Sequence, residues 1–204
     1  EYQAVENKIK TNEAICEKLE ASAQALYKHW FVDFEFPNEE GKPYRSSGGK
    51  MVWNDELEKE IPEGWRVGEL QEIMDNFDSQ RIPLSKSQRA ERKGEYPYYG
   101  AAALMDYVDD YIFDGTYILL GEDGTVVTEF GTPVLQYVWG RFWVNNHAHV
   151  LKAKNGFNEN SLYILLKNTN ITDKITGGVQ PKINQRNRNS IQVLIPSLEN
   201  MDKL

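Results

Sequence analysis

The feature that most constrains this chain is a repeat of mainly apolar and small side chains through its first 30 residues. These side chains recur at alternating spacings of three and four residues, which is the heptad pattern of a helix that pairs with another helix. The positions, named here the helix seam, are Tyr2, Val5, Ile9, Asn12, Cys16, Leu19, Ala23, Leu26 and Trp30. Neither Gly nor Pro interrupts the stretch, so it predicts one continuous helix about 45 Å long.

A single helix of that length cannot bury its apolar seam against itself. The seam therefore predicts a partner helix, supplied by another chain or by another part of the same protein. Asn12 within the seam is expected to lower the stability of the pair and to fix its register. The alternative is an ordinary amphipathic helix that lies on the remainder of the chain.

After the helix the sequence changes character twice. Residues 37–60 contain Pro37, Gly41, Pro43, Gly48 and Gly49, which predict a connector without regular structure. From residue 61 onward, short β-branched and aromatic runs alternate with turn sequences, which predicts strands. The expected strands are residues 111–113, 117–120, 125–130, 134–139, 142–144, 147–151 and 190–195, and residues 160–167 have helical spacing.

These patterns predict an α+β protein in which a long N-terminal coiled-coil helix precedes a β-rich domain with short helices. The chain is 40% hydrophobic, which is enough for a sizeable core. The expected divisions are a helix at 1–36, a connector at 37–60, the β-rich domain at 61–196 and the start of a second helix at 197–204. No apolar run has the roughly 18 residues of a membrane span. The single cysteine excludes an internal disulfide framework, so we expect a reducing, cytoplasmic setting.

The charge is distributed unevenly. The net charge is −8, but residues 1–76 hold 17 acidic and 9 basic residues, whereas residues 77–204 hold 14 of each. Within the second part, residues 80–94 contain five basic residues and one acidic residue, and residues 174–189 contain four basic residues and no acidic one. A polyanion responds to local potential, so the overall charge does not exclude nucleic acid as a partner.

Motifs for catalysis are missing from the sequence. There is no Gly-rich nucleotide-binding loop and no Pro-Pro motif of a base methyltransferase. His147 and His149 alternate on an expected strand, but no third ligand has suitable spacing, which favours hydrogen-bonded histidines over a metal site. Glu122 and Asp123 form a carboxylate pair with a composition that is typical of turns. We therefore expect no catalytic residue, no metal and no cofactor.

Two polar segments are candidates for contact with DNA. Residues 176–189 combine glycines with amide and basic side chains; Arg pairs with guanine, Asn and Gln pair with adenine, and Lys and backbone N–H groups bind phosphate. A polar surface loop is the alternative interpretation of this composition. Residues 79–99, expected to form a second loop, add Lys86, Ser87, Gln88, Arg89 and Arg92.

Five motifs together make the chain resemble a specificity subunit of a type I restriction-modification system. They are Ile61–Trp65, Tyr96–Ala101, Asp114–Gly124, Asn145–Leu151 and Thr176–Asn184. Residues 26–36 resemble the end of a spacer helix, and residues 196–204 resemble the beginning of a second one. Members of this family usually carry two recognition domains and two spacer helices, whereas this chain has one domain and one complete helix. It therefore corresponds to half of such a subunit, or to a half-subunit that pairs with itself.

The resemblance implies a non-catalytic subunit. In such a subunit the β-rich target-recognition domain reads one half of a two-part double-stranded DNA target, and the helix sets the gap between the halves. Methylation subunits and, through the complex, a restriction subunit are the implied partners, and pairing of two copies through the long helix is a further expectation. Thr176, Gly177, Gly178, Gln180, Lys182 and Asn184 match the family's recurring loop, which implies that they position the backbone. Arg186 and Arg188 are expected to contact phosphate or bases, because positive charge is locally in excess.

Two other classes of protein remain compatible with the residues. One is a binding module for something other than nucleic acid on a coiled-coil stalk, such as a surface adhesin. The other is a metal-dependent nuclease that uses Asp78, Glu91 and Lys93.

Overall fold

The structure, a computed structural model, describes residues 2–197, and its contacts divide the chain into two compact units on either side of the Trp65–Arg66 bond. We name residues 2–65 the helical unit and residues 66–197 the β-rich unit. The helical unit contains helix α1 (Tyr2–Tyr27), a π-helical turn (Lys28–Val32) and the antiparallel strands β1 (Met51–Asn54) and β2 (Lys59–Pro62).

The predicted long helix is confirmed, and its apolar seam is exposed to solvent. None of the residues of α1 is buried. Ile9, Leu19 and Leu26 have 52%, 65% and 47% of their surface exposed. Apolar side chains repeated along one helical face contribute most to stability when they are covered, so the exposed seam offers a surface for a partner helix.

The chain after the helix is more ordered than its glycines and prolines suggest. Phe34, Phe36 and Trp65 are buried, and the Phe36 and Trp65 rings stack with their centroids 5.1 Å apart. The expectation of a connector without regular structure at 37–60 is wrong for its second half, because β1 and β2 form a hairpin in which Val52 faces Ile61. The aromatic cluster supplies the apolar burial that a short hairpin needs.

The β-rich unit contains ten strands and three α-helices within the described residues. Its strands are β3 (Arg66–Glu69), β4 (Met74–Asn76), β5 (Lys93–Tyr99), β6 (Leu104–Val108), β7 (Phe113–Asp114), β8 (Tyr117–Gly121), β9 (Leu135–Val138), β10 (Arg141–Val144), β11 (Ala148–Ala153) and β12 (Gln192–Ile195). Its α-helices are α2 (Lys86–Glu91), α3 (Glu159–Lys167) and α4 (Gln185–Asn189), and short 3-10 turns lie at Leu70–Glu72, Asp78–Gln80 and Thr172–Lys174.

The strands of this unit form three sheets, and the two larger sheets share an apolar cluster. Two four-stranded sheets have the orders β6-β5-β10-β7 and β4-β11-β8-β9, and a two-stranded sheet pairs β12 with β3. Only the β10–β5 pair is parallel among the described strands. Every residue of β8 is buried, and Leu119 packs in one cluster with Phe142 and Val150. A further cluster contains Tyr98 and Trp143, which belong to one sheet, whereas the cluster around Leu119 and Phe142 includes residues of both large sheets.

The predicted α+β fold class is confirmed, with local differences. Residues 125–130 were expected to form a strand, but they bend into a turn in which the amide of Gly131 donates to the carbonyl of Thr128. Residues 79–99 are not one loop, because they contain α2 and β5. In both places local capping and turn chemistry outweighed the composition of the segment. The expected second helix at 197–204 lies outside the described residues beyond Ser197. No helix among the described residues is both long enough and apolar enough to span a membrane.

Candidate nucleic-acid interface

The first candidate segment is organised by the cap of α2. Ser85 precedes the helix, and its hydroxyl accepts from the amide of Gln88 at 3.2 Å. The side-chain oxygen of Gln88 in turn accepts from the amide of Ser85 at 2.8 Å, and the hydroxyl of Ser87 lies 3.0 Å from that of Ser85. This reciprocal cap satisfies amides that the first helical turn leaves open. Ser87 and Gln88, which are predicted to contact DNA, therefore use part of their hydrogen-bonding capacity at the start of the helix.

Two arginines of this segment, Arg89 and Arg92, already have partners within the protein. Arg89 donates to the carbonyl of Leu84 at 2.7 Å and lies 3.4 Å from Asp106. Arg92 donates to Asp109 at 2.9 Å, and its guanidinium lies over the ring of Trp143. In the part of the chain that the structure describes, Lys86 is exposed and has no ion pair. Lys86 is therefore the cation of α2 that is free to meet a phosphate.

The second candidate segment begins with a tight hairpin, named here the glycine hairpin, which spans residues 176–182. The backbones of Thr176 and Lys182 donate to each other at 2.8 and 2.7 Å. The amide of Gly124 donates to the carbonyl of Pro181, which ties the hairpin to the turn after β8. Gly177 has φ +86°, and a Cβ atom there would lie 2.2 Å from the carbonyl oxygen of Gln180. The hairpin therefore requires glycine at position 177.

We expect Gly177→Ala to lower the free energy of unfolding by about 1 to 3 kcal/mol, because alanine is strained at this φ and its Cβ meets Gln180. Gly178→Ala is the matched control, since nothing lies within 4 Å of the Cβ position there, and it should change the free energy by less than about 0.5 kcal/mol. Urea unfolding measures both values. Equal losses at the two positions would contradict the requirement for glycine at 177.

Helix α4 follows the hairpin. Its two arginines, Arg186 and Arg188, lie in different surroundings. Asn184 caps the helix by accepting from the amide of Asn187 at 2.8 Å. Arg186 is exposed and has no ion pair within residues 2–197. Arg188 is fully buried and donates to Asp78 at 3.1 Å. Arg188, which is predicted from the sequence to contact DNA, is thus enclosed in the protein, where its side chain stabilises the helix that carries Arg186.

Asp78 is the centre of a buried polar network that anchors α4. One of its carboxylate oxygens accepts from the amide of Val150 at 2.8 Å. The other meets Nδ1 of His149 at 2.7 Å and accepts from Gln185 at 2.9 Å and from Arg188 at 3.1 Å. The side chains of Asp78, His149 and Arg188 are at most 1% exposed. The network joins the turn after β4, strand β11 and α4.

The donors around Asp78 determine its charge. Burial alone would raise the pKa of this carboxyl, but the hydrogen bonds from His149 and Val150 and the charge of Arg188 outweigh burial and hold the pKa well below its usual range. Nε2 of His149 lies 2.8 Å from the carbonyl of Ile183, which can only accept. The two ring nitrogens of His149 thus face two hydrogen-bond acceptors, the Asp78 carboxylate and the Ile183 carbonyl.

A second ion pair completes the network. Arg81 donates to Glu122 at 2.6 Å and to the carbonyl of Ala148 at 2.8 Å. Among the described residues, Asp78, Glu122 and His149 offer ligand atoms within 4.8 Å of one another, as a metal site would. Arg81 and Arg188 already neutralise the two carboxylates. A divalent cation would have to compete with these two guanidinium groups, so this arrangement favours structural ion pairing.

The residues considered for a nuclease have different partners. Asp78 is enclosed by the network, whereas Lys93 pairs with Asp106 and Glu91 is exposed at the end of α2. The interpretation of His147 and His149 as hydrogen-bonded histidines agrees with the structure, since Nδ1 of His147 lies 2.6 Å from Asp123. A metal-dependent nuclease is therefore not favoured.

Segments far apart in the sequence meet at this site. The amide of Glu122 donates to the carbonyl of His147, and the amide of Ile183 donates to the carbonyl of Glu122, at 2.8 and 2.9 Å. Three of the five motif segments are thus joined through backbone hydrogen bonds. The sequence analysis did not find the Asp78 network, because its members are separated by up to 110 positions and carry no common motif.

Curated relatives extend the likeness seen in the motifs. The type I restriction enzyme specificity subunit S.HindORF215P of Haemophilus influenzae is 34% identical over 129 residues, covering 63% of this chain and 32% of that protein. The MjaIX specificity subunit of Methanocaldococcus jannaschii is 48% identical over 71 residues, covering 34% of this chain and 13% of that protein. The chain thus matches about a third or less of the length of these relatives.

A solved structure supports the same fold. The crystal structure of the type I restriction-modification system S subunit from M. genitalium superimposes with a TM-score of 0.58 at 18% identity, covering 95% of this chain and 47% of that one. The family model for the type I restriction modification DNA specificity domain matches residues 62–203. The motifs, the fold and this match agree, and the chain belongs to the family of type I restriction modification DNA specificity domains.

Proposed function

We propose that this chain binds double-stranded DNA sequence-specifically and reads one half of a two-part target for a type I restriction-modification complex. The observation that carries the proposal is the contrast between Arg186 and Arg188 on α4. Arg188 is fully buried and pairs with Asp78, whereas Arg186 is exposed without an ion pair in the described residues. A helix anchored by one arginine presents the other to solvent, which suits binding of a phosphate or a guanine edge.

The proposed contact residues form a smaller set than the sequence predicts. Lys86, Gln180 and Arg186 are exposed, and the Nζ atom of Lys182 lies 3.9 Å from Glu122 with 48% of its side chain exposed. These four are proposed to contact DNA. The remaining candidates apart from Gly178 are proposed to hold the interface in shape, namely Ser87, Gln88, Arg89, Arg92, Thr176, Gly177, Asn184 and Arg188. Gly178 is proposed to leave the tip of the hairpin open, since nothing lies within 4 Å of its Cβ position.

The chain is further proposed to act without catalysis of its own. In the complex, methylation subunits would modify the DNA and a restriction subunit would cleave it, while this chain selects the site. Helix α1 is proposed to pair through the helix seam with a second helix, and so to set the distance between two half-sites. The exposed Ile9 and Leu19 support this pairing. An unpaired Cys16 suits the reducing cytoplasm, where we propose that the complex works.

Salt dependence tests the role of the two free cations. We expect Arg186→Ala and Lys86→Ala each to reduce the slope of log affinity against log salt by about 1, because each removes one phosphate contact and the counterion release that goes with it. The measurement is a salt titration of DNA binding by the intact subunit with its methylation subunits.

The control for this titration is Lys42→Ala, which removes a lysine that already pairs with Glu40 at 2.7 Å in the helical unit. Its slope should equal that of the unmodified protein. A slope that stays unchanged in Arg186→Ala and in Lys86→Ala would refute the proposed phosphate contacts.

A further inference from the structure

Val179 stands at the tip of the glycine hairpin without support from the rest of the chain. Its exposed fraction is 102%, the largest among the exposed large apolar residues. Gly178 beside it has nothing within 4 Å of its Cβ position, so the chain leaves open space next to Val179 at this position. Isolated exposed valines are common on protein surfaces, so exposure alone says little. Val179 differs from such valines because the hairpin that carries it is held firmly at its base.

The hairpin is held firmly at its base. Besides the two Thr176–Lys182 hydrogen bonds, the amide of Ile183 donates to the carbonyl of Glu122, and Ile183 itself is fully buried. The carbonyl of Ile183 meets Nε2 of the buried His149 at 2.8 Å. The chain thus positions the base of the hairpin through its buried network and presents an apolar side chain at the tip.

The dimensions of the hairpin match a DNA major groove. A strand advances about 3.3 Å per residue, so the three steps from Thr176 to Val179 reach at most about 10 Å beyond the Thr176–Lys182 pair. The major groove is about 8.5 Å deep and admits a two-stranded ribbon. Gly177 and Gly178 have no side chains that would prevent close approach of the backbone.

The charges around the hairpin also permit the approach of DNA. Residues 176–182 contain no acidic side chain, and Lys182 lies at the base. The two acids of the neighbouring turn are both paired, Glu122 with Arg81 and Asp123 with His147. Phosphates on either side of the groove would therefore meet Lys182 and carboxylates that already have partners.

We propose that Val179 is a specificity-determining residue that contacts the C5-methyl group of a thymine in the major groove. This inference rests on the proposed function, and it adds one residue and one chemical group to it. The thymine methyl is the apolar feature that major-groove edges offer, and an uncharged, fully exposed valine is suited to it. Gln180, the next residue, carries the amide that pairs with adenine edges, which favours an A·T pair at or beside this contact.

Deoxyuridine provides the test, because it differs from thymidine only in the missing methyl group. The target is first identified by methylome sequencing of cells that carry the intact system. Each thymine of the half-site is then replaced singly by deoxyuridine, and duplex binding by the intact subunit with its methylation subunits is measured. We expect one replacement to weaken binding by about fourfold, as for loss of one buried methyl group.

The variant Val179→Ala should bind the thymine duplex about fourfold more weakly and should no longer distinguish thymine from deoxyuridine at that position. Val32→Ala is the control: it makes the same change at an exposed valine of the helical unit, and its thymine preference should equal that of the unmodified protein. A preference that persists in Val179→Ala overturns the proposal, as does a half-site without an A·T pair.

Other outcomes separate this inference from the proposed function. Specific binding that is indifferent to every deoxyuridine replacement overturns the role of Val179 and leaves sequence-specific binding intact. If Val179→Ala instead weakens assembly with the methylation subunits while the thymine preference is unchanged, the hairpin contacts protein and the proposal is overturned. Absence of specific binding by the unmodified complex overturns both.

Discussion

We expect Asp78→Ala to lower the free energy of unfolding of the β-rich unit by about 3 to 5 kcal/mol. The substitution removes a carboxylate that is 1% exposed, leaves Arg188 buried without its counter-charge and leaves Nδ1 of His149 without its hydrogen-bond partner. Removing one partner of a buried ion pair lowers the free energy of unfolding by far more than the intact pair contributes to it, because the remaining charge cannot be hydrated. Urea unfolding followed by tryptophan fluorescence measures the change.

The matched control for this substitution is Asp75→Ala on the adjacent strand β4. Asp75 accepts from Lys154 at 2.9 Å, but both side chains are partly exposed, at 56% and 34%. A surface ion pair contributes about 0 to 1 kcal/mol, so the control should be nearly neutral. Similar losses for the two variants would contradict the assignment of Asp78 as a buried anchor.

The same carboxylate predicts a pH dependence. Because its pKa is held below the usual range, Asp78 contributes stability above its ordinary pKa of about 3.9, and this contribution is lost as the pH falls from there through the lowered folded-state pKa. The difference in unfolding free energy between the unmodified chain and Asp78→Ala should therefore narrow as the pH falls below about 4. A difference that grows as the pH falls would refute the charge state proposed for the network.

The second prediction with a large expected effect concerns self-association through the helix seam. We expect the unmodified chain to self-associate through α1, and the double substitution Ile9→Glu, Leu19→Glu to weaken that association by more than about a hundredfold. Each of these side chains contributes about 1.5 to 3 kcal/mol when it is fully buried, so losing two costs at least about 3 kcal/mol. Sedimentation equilibrium over a range of concentrations measures the association constant.

Gln3→Glu with Gln24→Glu adds the same charge to α1 at positions outside the seam, and it should leave the association nearly unchanged. Equal weakening by both double variants would mean that charge repulsion, not loss of the seam, is responsible. An unmodified chain that stays monomeric at high concentration would refute self-pairing and favour a partner helix from elsewhere in the subunit.

The helix and the fold class were predictable because they depend on periodicity. The three-four spacing of apolar residues shows one helical face, and alternating β-branched runs with Gly-containing turns indicate strands. Each of these patterns is local, because the residues that form it lie within a few positions of one another in the sequence. Even so, the hairpin of β1 and β2 was missed, since it depends on an aromatic cluster whose members, Phe34, Phe36 and Trp65, are spread over 32 positions.

The candidate site was predictable only in part. The sequence located the two basic segments, and the Gly-Gly turn within one of them, from composition. Composition did not distinguish side chains that are free to contact DNA from side chains that hold the protein in shape. Gln88 closes a cap, and Arg92 pairs with Asp109. Val179 was overlooked because a valine within a polar stretch carries no motif; its significance comes from its position at the tip of an anchored hairpin.

The sequence by itself determined the rod-like first helix, the α+β class and the family, because these follow from local periodicity and from short motifs in a fixed order. Only the tertiary structure decided which charges are free. Arg186 and Arg188 are two positions apart and chemically identical, yet one is exposed and the other is buried against Asp78, 110 positions away. The free energy of a charged group depends on its solvation and its counter-charge, and long-range packing sets both.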